Sequence, residues 1–332
     1  MMRIGFAGTG YINKIHALAA KNCGAELSAV VNHSPTSMAT FAEEYRIPHQ
    51  YDTVEAMLKD AYVDALIVST PNYLHALQTI SALRVGVPVL VEKPMAMNAS
   101  EAEQMAEASE KYGSKLMVAQ CWRFDKEVLW LKSHLSQIGH IVRTKGYGVH
   151  VKWGPSGWFT RKEFAGGGAM ADVGVHAIDT TRFLINDPQP RSVYAKIGSY
   201  YKDFDVDDTG ILIVTWDNGI ISYIESGWWQ PHSDGQLAAT QLYGLNGFAS
   251  LYPTGVEKLI LNNDKPNIDN ESSIFPHPPA LQQIRYDEQL KYFLQCVSED
   301  KTPIPGGAEG VADMKVIDAA YKSAKTGKVI NL

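Results

Sequence analysis

The sequence predicts two domains: an α/β domain with a doubly wound parallel sheet over residues 1–121, and an α+β domain with a large, mostly antiparallel open sheet over residues 122–332. Three observations favour this arrangement. The length of 332 residues suits two cores, although one long barrel remains an alternative. Short β-branched runs alternate with helical patterns up to Cys121. Beyond it, longer strands follow one another through turns.

The first domain is built from apolar runs separated by segments of helical period. The runs are RIGFAG, LSAVVN, DALIVST, PVLVEK and KLMVAQ, and the helical segments cover residues 14–22, 36–45, 54–60, 73–85 and 100–112. Because the runs are apolar on both faces, we expect parallel strands covered by helices on both sides. Ser100 with Glu103 predicts a capping box at the start of the last helix, and Gly113 predicts its end.

The second domain has the pattern of an antiparallel sheet. Its predicted strands are IVRTKGYGVHVKW, SVYAKIGSYY, TGILIVTWD, GIISYIESGWW and LAATQLYG. Asp217-Asn218-Gly219 predicts a type I′ hairpin between two of them. One amphipathic helix is expected at residues 170–185, a polar surface loop at 264–279, and helices after residue 280.

Composition excludes several classes of function. A net charge of −6 and a pI near 5.9 give no basis for binding nucleic acid or an anionic membrane. The start of the chain reads directly into a strand, so we expect neither a signal peptide nor a membrane span. Three scattered cysteines, without metal-ligand spacing, indicate reduced thiols in a cytoplasmic protein that needs no metal.

The turn after the first strand has the pattern of a dinucleotide cradle. It contains Gly8, Thr9, Gly10, Tyr11 and Ile12. Glycines there let the backbone approach a pyrophosphate held at a helix N-terminus. Asn13 replaces the third glycine of the fingerprint, so strand–helix packing is either looser there or achieved by other means.

The end of the second strand bears on the choice of cofactor. Asn32, His33 and Ser34 stand where an acidic residue would bind a ribose 2′-hydroxyl and repel a 2′-phosphate. These residues tolerate the phosphate, which favours NADP slightly over NAD. Alternatively, residues 32–35 form only a turn and do not contact a cofactor.

Two further motifs carry groups that can move a proton. Glu92-Lys93-Pro94 follows a buried strand at the carboxyl edge of the sheet, where a lysine could donate to a substrate oxygen. At about 100° per residue, Asp172, His176 and Asp179 share one helix face. A carboxylate beside an imidazole can orient a hydroxyl and relay its proton, but a capped helix start with a surface histidine gives the same pattern.

In combination, these motifs resemble the glucose-fructose oxidoreductase / inositol dehydrogenase / MocA family of NAD(P)-dependent oxidoreductases. The matching segments are GTGYIN, Thr70-Pro71-Asn72 with His75, Glu92-Lys93-Pro94, Trp122-Arg123-Phe124, GGGAMADVGVHAID and AYKSAKTGKVINL. They span nearly the whole chain in the family's order. The resemblance implies an amino-terminal Rossmann domain, and a second domain that closes over a sugar, inositol or related polyol.

The resemblance also implies roles by position. Lys93, His176 and Asp172 would be catalytic and would bind the substrate, with His176 as general acid/base. Thr70, Pro71, Asn72 and His75 would line the nicotinamide side of the cofactor, Glu92 would contact its ribose, and Arg123 would lie between cofactor and substrate. A homodimer or homotetramer is expected, formed through the open face of the large sheet.

Aromatic residues supply candidates for the substrate pocket. Trp153 and Trp158, with Lys152, Phe159 and Arg161, precede the glycine run at 166–168, which either folds over a ligand or forms an ordinary turn. Trp228, Trp229 and His232 form a second candidate rim. Three alternative functions stay open: an NAD-dependent glycosidase on the same fold, a non-catalytic dinucleotide or sugar sensor, and reduction of a non-sugar carbonyl or imine.

Overall fold

The computed structural model describes residues 1–60, 62–230, 238–262, 265–275 and 282–332. It divides into two compact units. Unit 1 comprises residues 1–121 and 281–314, and unit 2 comprises residues 122–280 and 315–332.

Unit 1 contains a six-stranded parallel sheet with the order β3-β2-β1-β4-β5-β6. The strands are β1 Arg3–Ala7, β2 Glu26–Val31, β3 His49–Tyr51, β4 Ala65–Val68, β5 Val89–Glu92 and β6 Leu116–Ala119. The helices between them are α1 Tyr11–Asn22, α2 Pro35–Tyr45, α3 Val54–Lys59, α4 His75–Arg84 and α5 Ala99–Tyr112. Every residue of β4, β5 and β6 is buried, as the continuous apolar runs predict.

The strand order reverses between β1 and β4, and in such sheets ligands bind beyond the carboxyl ends of these strands. Gly8 follows β1 and lies so close to the next turn that a Cβ there would be 2.9 Å from the carbonyl oxygen of Ser69. The predicted turns therefore come together at this edge.

Residues 281–314 pack in unit 1, whereas the sequence division places them in the second domain. They include α9 Gln282–Ser298 and the first part of α10 Gly307–Thr326. α9 packs against α1, where the side-chain amide of Asn22 donates to Asp287 at 2.8 Å. The helical pattern alone could not show which sheet these helices cover.

Unit 2 contains a nine-stranded sheet with the order β14-β13-β12-β11-β7-β10-β9-β8-β15. Its strands are β7 Ile141–Val151, β8 Pro190–Gly198, β9 Thr209–Trp216, β10 Ile221–Gln230, β11 Ala238–Gly244, β12 Gly247–Ser250, β13 Gly255–Asn262, β14 Lys265–Ile274 and β15 Ile330–Asn331. Its helices are α6 Lys126–His134, α7 Lys162–Ala165 and α8 Val175–Leu184. β7 and β10 pair in parallel, and the other described pairs are antiparallel. The two sheets confirm the predicted fold class.

One face of this sheet packs against α8, and the other carries exposed apolar side chains. On β9, Leu212 and Val214 are buried, whereas Ile211 and Ile213 are 43% and 45% exposed. A Cβ on Gly148 of β7 would lie 2.2 Å from the carbonyl oxygen of Val173. A glycine is therefore needed for the chain leading into α8 to approach the sheet this closely.

Three local predictions need correction. The cap of α5 is Asn98, whose side chain accepts from the amide of Glu101, because this pair forms the same capping pattern two residues earlier. The hairpin at 217–219 exists, but only Gly219 has positive φ, so the turn is not type I′. Much of the expected loop at 264–279 is strand β14, and residues 264 and 276–279 lie outside the described ranges.

Among the helices that the structure describes, none has the length and hydropathy needed to span a lipid bilayer.

Candidate functional site

The turn between β1 and α1 has the features of a site for a pyrophosphate. Gly10 caps α1 without a side-chain hydrogen bond, and the first turn of the helix holds no acidic residue. A Cβ on Gly10 would meet no atom of the described residues within 4 Å, so the space in front of the helix is open. The start of the helix is therefore accessible to an anion, although the amide of Asn13 already donates to the carbonyl oxygen of Gly10 at 3.0 Å, and the residues present fit a dinucleotide.

Asn13 takes the structural role of the missing third glycine. Its side chain is fully buried and its Nδ2 donates to the carbonyl oxygens of Gly8 at 2.5 Å and Ala7 at 3.3 Å. The amide ties the turn to the helix, so packing there is tight rather than loose.

The end of β2 is joined to this turn by hydroxyl and amide groups. Asn32 Nδ2 donates to Thr9 Oγ1 at 2.7 Å, and Thr9 Oγ1 lies 2.7 Å from Ser37 Oγ. Ser34 caps α2, and His33 is exposed. The structure thus brings together Thr9, Asn32 and Ser34, and the edge presents hydroxyls and an imidazole without a carboxylate.

His75 lies behind the loop that follows β4 rather than lining a ligand site. It is 1% exposed, and its Nδ1 and Nε2 lie 3.0 and 2.9 Å from the carbonyl oxygens of Pro94 and Thr70. Burial lowers the pKa of His75. Since both ring nitrogens contact backbone, the side chain supports two neighbouring loops, and its contact with the cofactor stays a prediction. Pro71 and Asn72 remain candidates for the cofactor site.

Glu92 and Lys93 differ sharply in exposure. Glu92 is 6% exposed, and its two carboxylate oxygens contact His16 Nε2 at 2.8 Å and the backbone amide of Lys93 at 3.1 Å. The Lys93–Pro94 peptide bond is cis, and the side chain of Lys93 is partly exposed. Contact of Glu92 with a ribose stays a prediction. His16 belongs to none of the motifs described above, although it shares the strand-facing side of α1 with Asn13, three residues earlier.

The glycine run before Asp172 is packed against a buried carboxylate. Asp207 accepts from the backbone amides of Gly168 and Met170, each at 2.8 Å, and from the hydroxyl of Tyr321 at 2.7 Å. Burial raises the pKa of Asp207, although these three donors oppose the shift. A Cβ on Gly168 would lie 1.9 Å from the carbonyl oxygen of Asp207. The run therefore serves close packing and is not a flap, and no local sequence signal links it to Asp207 or Tyr321.

Asp172 lies on a π-helical turn, and His176 lies on the α-helix that follows it. Residues Met170–Gly174 form a π-helical turn that leads into α8, so the 3.6-residue period assumed from sequence does not hold there. Asp172 Oδ2 accepts from Trp228 Nε1 at 3.0 Å, and the ring of His176 meets Trp122 edge-on at 6.2 Å. Both Asp172 and His176 are partly exposed.

Arg123 is buried in an ion-pair network within unit 2. It is 3% exposed and donates to both carboxylate oxygens of Asp179 and of Asp187 at 2.6–3.0 Å. Burial opposes its charge, but the two carboxylates outweigh that effect and raise the pKa of Arg123. The donors of Arg123 are directed at these carboxylates, and its contact with cofactor and substrate stays a prediction that the ion pairs do not support.

The aromatic residues that we predicted for the substrate pocket differ in their exposure. Trp153 is 47% exposed and stacks on His150 with 3.7 Å between ring centroids, and Trp158 stacks on Phe159 at 3.8 Å. Trp228 is fully buried and donates a hydrogen bond to Asp172, so its ring does not line the rim of a pocket. The remaining rim candidates are Trp229, whose ring lies 4.7 Å from Lys202 Nζ, and His232, which lies outside the described residues.

Two family models match the chain. Residues 2–120 match the GFO/IDH/MocA oxidoreductase family with an NAD-binding Rossmann fold, and residues 136–250 match the GFO/IDH/MocA carboxyl-terminal domain. These two segments contain the cradle, Lys93, Asp172 and His176.

Several curated relatives match over almost their whole length. A D-glucoside 3-dehydrogenase from Escherichia coli is 25% identical, with 100% of this chain and 97% of the relative covered. A D-xylose 1-dehydrogenase (NADP(+)) from Haloferax volcanii is 27% identical, with 99% and 98% covered. A solved levoglucosan dehydrogenase in complex with NADH shares the fold, with a TM-score of 0.87, 20% identity, and 99% and 98% of the two chains covered.

Proposed function

The chain belongs to the GFO/IDH/MocA family of NAD-binding oxidoreductases, and on that premise we propose that it transfers a hydride between NAD(P) and a secondary or anomeric carbon of a sugar, inositol or related polyol. The relatives' names support this substrate class, since they are dehydrogenases of a glucoside and of xylose. They give no support to the glycosidase or sensor alternatives.

One observation carries the proposal: a contrast in exposure among the ionisable groups. His75, Glu92, Arg123 and Asp179 are buried and engaged with the protein. Lys93, Asp172 and His176 are each left partly exposed. The chain thus keeps one ammonium, one carboxylate and one imidazole partly accessible, and these are the groups needed to bind a hydroxyl and to remove its proton.

The three groups would have separate roles. The turn at Gly8 and Gly10 would hold the dinucleotide, which would supply the hydride acceptor for the carbon that is oxidised. Lys93 would hold the hydroxyl oxygen by donating a hydrogen bond, and His176 would take the hydroxyl proton as the C–H bond breaks. Asp172, held by Trp228, would orient the substrate hydroxyls. The exposed Trp153 and the partly exposed Trp158 would pack against the C–H face of the ring.

We propose NADP as the preferred dinucleotide. The edge formed by Thr9, Asn32 and Ser34 offers hydroxyl and amide donors, and His33 is exposed beside it. Residues 32–37 contain no acidic side chain that would repel a 2′-phosphate.

We also propose a cytoplasmic homodimer or homotetramer. The three cysteines are free, as expected in a reducing compartment. Ile211, Ile213 and Ile221 are 43–47% exposed on one face of the large sheet, and such a patch is typical of an interface. Light scattering of the purified protein and of the Ile213→Lys variant tests this, and a monomeric wild type would contradict it.

The experiment that tests the function is a substrate screen. Inositols, aldoses and anhydrosugars are offered with NAD⁺ or NADP⁺, and the absorbance of the reduced nicotinamide is followed. We expect turnover with at least one polyhydroxylated ring, and Lys93→Ala should lower kcat by about 10²-fold or more while the dinucleotide still binds. Unchanged turnover in that variant would remove Lys93 from the mechanism.

A further inference from the structure

His16 is a fully buried histidine that the proposed reaction does not yet use. It lies on α1, on the side that faces the sheet, and its side chain is 0% exposed. Its Nε2 lies 2.8 Å from Glu92 Oε1, at the carboxyl end of β5. The side chain therefore joins the helix of the dinucleotide cradle to the strand that leads into Lys93.

Glu92 links His16 to the backbone of Lys93. Its second oxygen, Oε2, accepts from the backbone amide of Lys93 at 3.1 Å. Beyond the lysine, the carbonyl oxygen of Pro94 is contacted by His75 Nδ1 at 3.0 Å. The turn that bears Lys93 is thus held at its amide by the pair of His16 and Glu92, and at the following carbonyl by His75.

The polar ring of His16 is needed for its hydrogen bond with Glu92. His16 Nε2 shares a hydrogen bond with Glu92 Oε1, and an ionised carboxylate can only accept such a bond. Its Nδ1 has no hydrogen-bond partner among the residues that the structure describes, which is unfavourable for a buried polar atom. An apolar side chain would fill this position without that cost, but it could not hold Glu92.

We propose that His16 is a positioning residue for the hydride-transfer reaction: it fixes the carboxylate of Glu92, which fixes the amide of Lys93 and so directs the ammonium of Lys93 at the substrate. This inference rests on the proposed function. His16 lies on the helix of the cradle, distant from Lys93 in sequence, and would help to hold Lys93 in position.

Three variants test the proposal. His16→Leu removes the hydrogen bond, His16→Gln restores a donor at similar reach, and Met57→Ala is the control. Met57 is fully buried on α3, so its truncation lowers stability without touching the turn that carries Lys93. Each variant is compared with wild type by hydrogen exchange of the Lys93 amide, by steady-state kinetics and by thermal unfolding.

We expect His16→Leu to speed exchange of the Lys93 amide and to lower kcat, each by about tenfold or more, with the KM for cofactor changed by less than about threefold. His16→Gln should stay within about threefold of wild type in both. Met57→Ala should lower Tm while leaving exchange at Lys93 and kcat near wild type.

Several outcomes would overturn the proposal. They are unchanged exchange and kcat in His16→Leu, a glutamine variant as impaired as the leucine variant, or a control with the same loss of kcat. If His16→Leu does not fold, Glu92→Leu replaces it because leucine has no acceptor for the Lys93 amide, and unchanged protection of that amide in this variant would also overturn the proposal. Hydrogen exchange requires no turnover, so failure of the proposed function would show separately, as a wild type that reduces no dinucleotide.

Discussion

Replacing Arg123 by methionine should destabilise unit 2 and leave dinucleotide affinity nearly unchanged. The side chain is 3% exposed and donates five hydrogen bonds to two carboxylates. Asp179 is fully buried, so the variant would leave its charge without a partner. A ligand-binding arginine would behave in the opposite way, with a loss of affinity and little loss of stability.

The magnitude follows from the burial of each partner. Removing one member of a buried ion pair costs about 3–5 kcal/mol, which applies to Asp179. The side chain of Asp187 is 26% exposed, so water replaces much of its interaction and it adds at most about 1 kcal/mol. We therefore expect a loss of about 3–6 kcal/mol in the free energy of unfolding. The double variant Arg123→Met/Asp179→Asn should recover part of it, since no buried charge then remains unpaired.

Urea unfolding followed by tryptophan fluorescence gives the free energy of unfolding, and fluorescence titration with NADPH gives the Kd. A free energy within about 1 kcal/mol of wild type, together with a Kd raised tenfold or more, would refute the assignment of Arg123 to a structural network.

Three other predictions address separate parts of the molecule. Trp228→Phe removes the donor to Asp172 and should lower kcat about tenfold at unchanged KM for cofactor; steady-state kinetics with equal kcat would contradict the positioning of Asp172 by the indole. Asn32→Asp adds a carboxylate at the end of β2 and should lower the NADP/NAD ratio of kcat/KM about tenfold or more; an unchanged ratio would show that the ribose lies elsewhere. Burial raises the pKa of the Cys121 thiol to about 11, so a neutral thiol reagent should label the part-exposed Cys23 first, as peptide mass spectrometry can show; rapid labelling of Cys121 in the folded protein would contradict its burial.

Elements with a strong local pattern were predictable from sequence. The apolar runs at β4 and β5 needed no further information, because a strand covered on both faces leaves a continuous hydrophobic signature. Gly113 ends α5 with φ of 63°, as its position after the helical pattern indicates. The start of the same helix was misplaced by two residues, since Ser100 and Asn98 each precede a glutamate by three positions.

The site was harder to predict because partners distant in sequence decide what a motif residue does. Arg123 looks like a ligand contact until Asp179 and Asp187 are found around it. His75 is likewise committed to two backbone carbonyls that follow different strands. The helix face shared by Asp172 and His176 was inferred with a regular period, and the π turn at Met170–Gly174 changes that geometry.

We propose above all that Lys93 and His176 act on one hydroxyl of a substrate that Asp172 orients. A crystal structure with NADPH and a polyol identified by the screen tests it most directly, through the distances from Lys93 Nζ and a ring nitrogen of His176 to a single hydroxyl oxygen. We expect both distances to be about 2.6–3.2 Å, with Asp172 bonded to the same ring and the substrate carbon facing the nicotinamide. A structure in which Lys93 and His176 contact different hydroxyls of the substrate, or in which either side chain does not contact the substrate, would contradict this proposal.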